Sequence, residues 1–333
     1  MSPKSADKFR IAIVGSGRIA QSYLAAFKTS NELELVALVD TNAENLKAAI
    51  EAFPCHGYSD HRAMLEKEKP DGVVVCTPPS LHPDVAVDCL NAGAHVLCEK
   101  PMAIRSEDVV RMQAAAQANG RQLMMASKFR YVKDIAKARS LIQAGILGQV
   151  VHFENTFSTW LDVSRRWNSD PAVAGGGVLI DNGTHSVDIA RYMLGPIQHV
   201  LAVHGPQIQP LKVEDTSHLV FRNVHGVVGA VDVSWSLPKE KSDYIEVFGT
   251  EGILQIGWKT SRYRQVRSSE WVQFGTGYNK QDAFESQIRN FIASSRGSEA
   301  PLITGDDALA SVRVIEAAYA SAAKNAWVEV PQA

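Results

Sequence analysis

Ten residues near the N-terminus, Ile-Ala-Ile-Val-Gly-Ser-Gly-Arg-Ile-Ala at 11–20, constrain the fold more than any other feature of the chain. Consecutive apolar residues with no polar alternation read as a strand buried on both faces. Gly15 and Gly17 read as a tight turn, and the run from Arg18 to Lys28 as an amphipathic helix. A strand that passes through two glycines into a helix is the opening unit of a parallel, doubly wound sheet. The next hundred residues repeat the alternation. Apolar strands are predicted at 9–15, 32–40, 72–78, 94–101 and 121–127, with a short element near Gly57 and Tyr58. Helical patterns at 43–53, 61–68, 81–93 and 106–120 lie between them. Strands spaced by helices of this length mean right-handed βαβ units.

The pattern changes past residue 127. After a helix-like stretch at 133–148, residues 149–160 are β-rich, and 211–258 alternate apolar with polar residues. Asn223-Val224-His225-Gly226 and Gly249-Thr250-Glu251-Gly252 read as hairpin turns. Helices are predicted again at 281–295 and 305–325. The fold class is therefore α/β followed by α+β. A Rossmann dinucleotide-binding domain spans 1–127, and a domain with a large, mainly antiparallel open sheet spans 128–333.

Composition removes several functions. The 333 residues carry 34 lysines and arginines against 36 aspartates and glutamates, so there is no basic footprint for nucleic acid. No apolar run approaches the roughly 18 residues of a membrane span, and the first ten residues lack a signal-peptide core. Cys55, Cys76, Cys89 and Cys98 show no C-x-x-C spacing, so reduced thiols in a cytoplasmic protein are expected.

Several motifs fall on strand ends, where open α/β sheets bind ligands. Gly15 and Gly17 would let the backbone approach a pyrophosphate at the start of the following helix, with Arg18 and Ile19 beside it. Asp40 closes the second strand, where a carboxylate accepts hydrogen bonds from ribose hydroxyls and repels a 2′-phosphate; NAD is expected over NADP. Thr77 and Pro78 end the third clear strand, and His82 opens the helix that follows. Glu99, Lys100 and Pro101 end the next strand. A lysine there can polarise a substrate hydroxyl as negative charge develops on its oxygen. The second element is Gly175-Gly176-Gly177-Val178-Leu179-Ile180-Asp181-Asn182-Gly183-Thr184-His185-Ser186-Val187-Asp188. Asp181, His185 and Asp188 share a helical face at i, i+4, i+7 spacing, which suits proton transfer. His185 would be the base and Asp181 its orienting group, while Asp188 could cap or brace. Further metal ligands are not visible locally, and no metal is expected. Arg262, Arg264 and Arg267 form a cationic cluster that could hold a phosphate or else stay solvated.

The order of these motifs resembles the Gfo/Idh/MocA oxidoreductases, by motif over about residues 9–195 and by layout over the whole chain. The resemblance implies that the lysine of the Glu-Lys-Pro motif, Lys100, assists the reacting hydroxyl. It also implies that Asp181 and His185 act at the substrate, and that the open sheet forms the contact of a homodimer or homotetramer. Ala20 stands where some members have a third glycine. The expected activity is NAD-dependent hydride transfer from a secondary alcohol of a sugar, sugar derivative or cyclic polyol. An NAD-dependent glycosidase using transient oxidation, a reductase acting at an anomeric carbon or an anhydro-ketose, and a non-catalytic sugar- or NAD-sensing regulator are the rival readings.

Overall fold

The computed structural model describes residues 8–332. In chain order the first elements are β1 (Phe9–Val14), α1 (Ala20–Lys28), β2 (Leu33–Val39), α2 (Ala43–Ala52), β3 (His56–Tyr58), α3 (His61–Glu68), β4 (Gly72–Val75), α4 (His82–Asn91), β5 (His95–Glu99), α5 (Ser106–Ala118) and β6 (Leu123–Ala126). There follow α6 (Lys133–Gln143), β7 (Val150–Ser158), α7 (Pro171–Ala174), α8 (Thr184–Leu194), β8 (Ile197–His204), β9 (Thr216–Asn223), β10 (Val228–Ser234), β11 (Asp243–Gly249), β12 (Gly252–Gly257), β13 (Ser261–Gln265), β14 (Val272–Gly275), α9 (Lys280–Ser295), α10 (Gly305–Lys324) and β15 (Val328–Glu329).

The chain forms two compact units. Of the described residues, the first holds 8–103, 107–126 and 281–305. Its six strands lie in the order β3-β2-β1-β4-β5-β6, all parallel. The order reverses between β1 and β4, and there the strand ends diverge and leave a crevice for ligand. The central strands are short and mostly apolar because helices cover them; Ile11, Ile13, Val74 and Leu97 are fully buried. The helix at 281–295, predicted within the 128–333 segment, packs in this unit. Phe291 meets Phe9 edge-on at 6.0 Å, and Phe284 meets Tyr23 at 4.9 Å. Nothing in its amphipathic pattern says which sheet it covers.

The second unit holds residues 104–106, 127–280 and 306–332. Its nine strands lie in the order β14-β13-β12-β11-β7-β10-β9-β8-β15. Every neighbouring pair is antiparallel except β7 with β10. That parallel pair arises because the chain leaves β7, passes through α8, and returns through β8 and β9. Both predicted hairpin turns occur, between β9 and β10 and between β11 and β12. The helix predicted to 148 stops at Gln143, where the chain turns through Gly145 and Gly148, both with positive φ. The edge strands β14 and β15, with β13 and β8 inside them, extend the sheet beyond the predicted segment.

A buried ion pair ties α8 to the segment entering α6. Arg130 is 3% exposed and Asp188 0%, and their closest approach is 2.6 Å. Ser127 Oγ donates to the second oxygen of Asp188 at 2.6 Å. Burial alone would lower the Arg130 pKa, but Asp188 and Asp307 outweigh it and hold the guanidinium above its usual range. The bracing role foreseen for Asp188 is the one that these contacts describe. Breaking one side leaves a buried, unpaired charge, which costs about 3–5 kcal/mol. Asp188→Asn is therefore expected to lower the thermal midpoint by several degrees, measured by calorimetry. An unchanged midpoint would contradict this account of the pair.

Candidate functional site

The site residues of the first unit gather at the carboxyl edge of its sheet. Gly15 has φ +94°, and a Cβ there would lie 2.7 Å from the Cys76 carbonyl oxygen, so only glycine fits. Gly17 differs. Its φ is ordinary, and a Cβ would meet no protein atom within 4 Å. Nothing in the protein requires glycine at that position; a ligand seated against the backbone would. The following helix α1 has no side-chain cap and no acidic residue in its first turn. By contrast, Asn42 caps α2 and Asp60 caps α3. An uncapped helix start beside an open glycine suits a pyrophosphate. Arg18 is exposed and Ile19 half-buried at this turn.

Asp40 follows β2 and closes over the same loop. One carboxylate oxygen accepts from the Ser16 backbone N–H and from Ser16 Oγ, both at 2.8 Å, and the other accepts from the Asn42 N–H at 2.8 Å. The carboxylate is thereby held beside the glycine turn, and its lone pairs are not exhausted. Ser16, which sequence reasoning passed over as a spacer in the glycine motif, is the residue that fixes it.

Thr77 and Pro78 follow β4, the strand next to β1 across the reversal of order. Thr77 Oγ1 is buried without a hydrogen-bond partner, as expected of a hydroxyl that waits for a ligand. His82 is 1% exposed. Its Nε2 lies 2.7 Å from the Thr77 carbonyl and its Nδ1 2.9 Å from the Pro101 carbonyl. Burial lowers its pKa against the pull of these carbonyls. The ring bolts the loop after β4 to the loop after β5.

Glu99 ends β5 and is 8% exposed. Tyr23 Oη, from α1, donates to Glu99 Oε1 at 2.6 Å, and the Lys100 N–H donates to Oε2 at 3.1 Å. Gln287 Nε2, from α9, donates to Tyr23 Oη at 3.1 Å. Burial first, then the Glu99 charge, pushes the Tyr23 phenol well above its usual range, so it remains a donor. Glu99 thus acts through the backbone of Lys100, which is half-buried at the strand end. Burial also raises Cys76 and Cys98, leaving both as neutral thiols rather than nucleophiles.

In the second unit, Asp181 and His185 do not lie on one continuous α-helical face. Residues Leu179–Gly183 form a π-helical turn, and α8 begins only at Thr184. Such turns are frequent at functional sites. The three glycines before it serve close packing. Gly175 has φ +83°, and a Cβ on Gly177 would strike the Glu214 backbone. The Glu214 carboxylate accepts from the Gly177 and Leu179 N–H groups and from Tyr319 Oη. Asp181 is half-buried, and its N–H donates to the Gly177 carbonyl at 3.1 Å. His185 is 7% exposed and meets Phe129 edge-on, with centroids 5.0 Å apart. The spacing rule missed the π turn because period alone cannot register one inserted residue.

Arg262 and Arg264 do not stand as a free cationic cluster. Both guanidinium groups lie over the Trp271 ring, at 4.4 and 5.2 Å, and Arg262 Nε donates to Gln255. Among the described residues, no group of three acidic, histidine or cysteine side chains forms a metal cluster, and no helix is long and apolar enough to cross a membrane.

A glycine turn opening a helix, a carboxylate after β2 and a lysine after β5 define an NAD-binding oxidoreductase of the Rossmann class. The chain belongs to the Gfo/Idh/MocA family. The family's NAD-binding Rossmann domain matches residues 9–127 and its C-terminal domain residues 135–255. The chain is 27% identical to D-apiose dehydrogenase of Paraburkholderia graminis, over 97% of this chain and 90% of that one. It is 34% identical to D-glucoside 3-dehydrogenase of Escherichia coli, over 58% of this chain and 56% of that one. Among solved structures, WlbA dehydrogenase from Bordetella pertussis in complex with NADH and UDP-GlcNAcA superposes with a TM-score of 0.84 at 27% identity, covering 98% of this chain and 100% of that one.

The contrast between the two glycines gives a direct test of the cradle. Gly17→Ala is expected to change stability by no more than about 0.5 kcal/mol, because the methyl meets no protein atom. Its Kd for NAD should rise at least about tenfold if a phosphate occupies that space. Calorimetric titration of the variant decides it; unchanged NAD affinity would remove the pyrophosphate from this turn.

Proposed function

We propose that this enzyme oxidises a secondary alcohol of a sugar, sugar derivative or cyclic polyol with NAD, and reduces the matching ketone in reverse. One observation carries the reading. Within the first unit, the glycine cradle after β1 and Lys100 after β5 flank the same strand, β4, at the sheet's carboxyl edge. The relatives named above for apiose and glucoside oxidation, and the sugar nucleotide in the WlbA structure, support a carbohydrate substrate.

The residues that would hold the dinucleotide are Gly15, Gly17, Arg18 and Ile19 at the pyrophosphate, Asp40 at the adenosine ribose, and Thr77 and Pro78 with Lys100 toward the nicotinamide. His82 and Glu99 hold those loops in place. Bound NAD would supply the hydride acceptor. We assign Lys100 to polarise the reacting oxygen and His185 to take its proton as general base. Asp181 orients His185 or a neighbouring hydroxyl. Asp40 makes the enzyme selective for NAD, because its carboxylate repels a 2′-phosphate. The four cysteines are unpaired, which supports a reducing, cytoplasmic setting.

We also propose a homodimer or homotetramer through the open sheet. Leu201 and Val203 of β8, Val220 of β9, Phe248 of β11 and Ile253 of β12 alternate with the buried residues of their strands, and Val203 is 54% exposed. A row of this size needs a cover. Light scattering at micromolar concentration should report an even-numbered assembly; a monomer would contradict it.

The catalytic assignment is tested by turnover. Lys100→Met and His185→Ala should each lower kcat by about 10²-fold or more, since the charge they meet develops in the transition state. NAD affinity of His185→Ala should stay near wild type. The acidic limb of its pH–rate profile should vanish, because that limb reports protonation of the base. Near wild-type turnover of His185→Ala would place the base elsewhere. A substrate panel of inositols, aldoses, sugar phosphates and nucleotide sugars identifies the alcohol oxidised.

A further inference from the structure

The amino edge of the first unit's sheet, opposite the glycine turn, carries a cleft that the chemistry described so far does not use. Its volume is about 400 Å³, within the range of small-ligand pockets. Lys8 precedes β1, Lys69 and Asp71 precede β4, His95 opens β5, Arg121 precedes β6, and Arg296 follows α9. Because the strands are parallel, their amino ends bring these residues from far apart in the chain onto one wall.

Lys8, Lys69, Arg121 and Arg296 are cations, and Asp71 is the carboxylate set against them. Asp71 is already engaged, since its Oδ2 accepts from the Arg10 N–H at 2.7 Å. Helix C-termini also gather at this edge and attract cations on their own account. For α3 that need is met by Arg10, whose Nη1 donates to the Glu68 and Lys69 carbonyls. Among the described residues, Lys8, Lys69 and Arg121 have no carboxylate or carbonyl partner for their side chains.

His95 shows which chemistry is lacking. The Gln122 backbone N–H donates to its Nδ1 at 2.9 Å, and Arg121 Nη1 lies 3.5 Å from its Nε2. An amide donor requires a lone pair, so the proton of the neutral ring sits on Nε2. Burial first, then the Arg121 charge, lowers the His95 pKa and keeps the ring neutral. Nε2–H and the Arg121 guanidinium are then two donors that face one another with no acceptor. Ser295, in the same lining, adds a buried hydroxyl with no hydrogen-bond partner. An oxyanion beside them satisfies both donors and meets the surplus positive charge, whereas water meets only the first need. A tetrahedral group with several oxygens suits donors that arrive from separate strands.

We propose that this cleft binds a phosphate dianion, as the free ion or as a monoester, with Arg121, Lys69 and His95 Nε2–H as its donors. The site is separate from the pyrophosphate cradle, which lies at the opposite edge of the same sheet.

The test titrates inorganic phosphate and phenyl phosphate calorimetrically into the intact, NADH-saturated protein at constant ionic strength. A Kd of about 1 mM or tighter is expected for at least one of them. Tighter binding of phenyl phosphate assigns the monoester, and equal or tighter binding of inorganic phosphate assigns the free ion; either supports the site. Arg121→Gln and Lys69→Asn should each weaken binding at least about tenfold. Both variants should fold, because Arg121 is exposed and asparagine tolerates the positive φ of Lys69. Lys47→Gln removes an exposed charge elsewhere and should bind as wild type. The His95 ring proton resonances should move when phosphate is added to the wild type and stay in place in Arg121→Gln. No binding of either probe at about 10 mM overturns the site. So does wild-type affinity in Arg121→Gln, or an equal loss in Lys47→Gln, since binding would then lie elsewhere or follow net charge alone.

Discussion

Glu99 is the constraint on which the rest of the first unit depends. A carboxylate so nearly excluded from water is tolerated only with donors on its oxygens. Tyr23 supplies one and the Lys100 backbone N–H another. The first donor stands on the helix whose start forms the dinucleotide cradle, and the second belongs to the residue assigned to the reacting oxygen. Gln287 adds a third element by holding Tyr23 from α9. One buried charge therefore joins the helix that follows the glycine turn, the strand that ends at the lysine and the helix α9 from the far end of the chain. His82 works in parallel, joining the loops after β4 and β5 through two carbonyls. The backbone at Lys100 is thereby tied to both α1 and the loop after β4.

The second unit solves a different problem. Asp188 sits three residues after His185, and an unpaired acid there would compete for its proton. Arg130 and Ser127 occupy that carboxylate fully. Asp181 is set apart by the π turn, which Glu214 and Tyr319 hold from outside the segment. Two acids about one helical turn either side of a histidine thus stand in different surroundings: Asp188 is held by Arg130 and Ser127, and Asp181 lies in the π turn.

Much of this was legible in the sequence because it is local. The unbroken apolar strands, the two glycines and Asp40 mark a parallel sheet and a nucleotide turn by residue type and spacing. The hairpin glycines around 223–226 and 249–252 mark antiparallel pairs for the same reason. What the sequence hid is long-range. Tyr23 and Gln287 are 264 residues apart and carry no local sign of meeting Glu99. The helix at 281–295 has an amphipathic pattern that fits either sheet. The aromatic rings packed around Phe129 come from segments far apart in the chain, so no window of sequence contains them. The helical stripe predicted for Asp181, His185 and Asp188 is interrupted because a π turn over Leu179–Gly183 changes the period, while Asp188 pairs with Arg130 as a brace.

Hydride transfer between a carbinol carbon and NAD is tested most directly by isotope transfer. A substrate selected by turnover, deuterated at the carbinol carbon, is incubated with the enzyme and unlabelled NAD, and the reduced cofactor is examined by mass spectrometry and proton NMR. The account predicts NADH one mass unit heavier, with the deuterium on a single face of C4 of the nicotinamide. Reduced cofactor without deuterium, or label released to solvent, would contradict it.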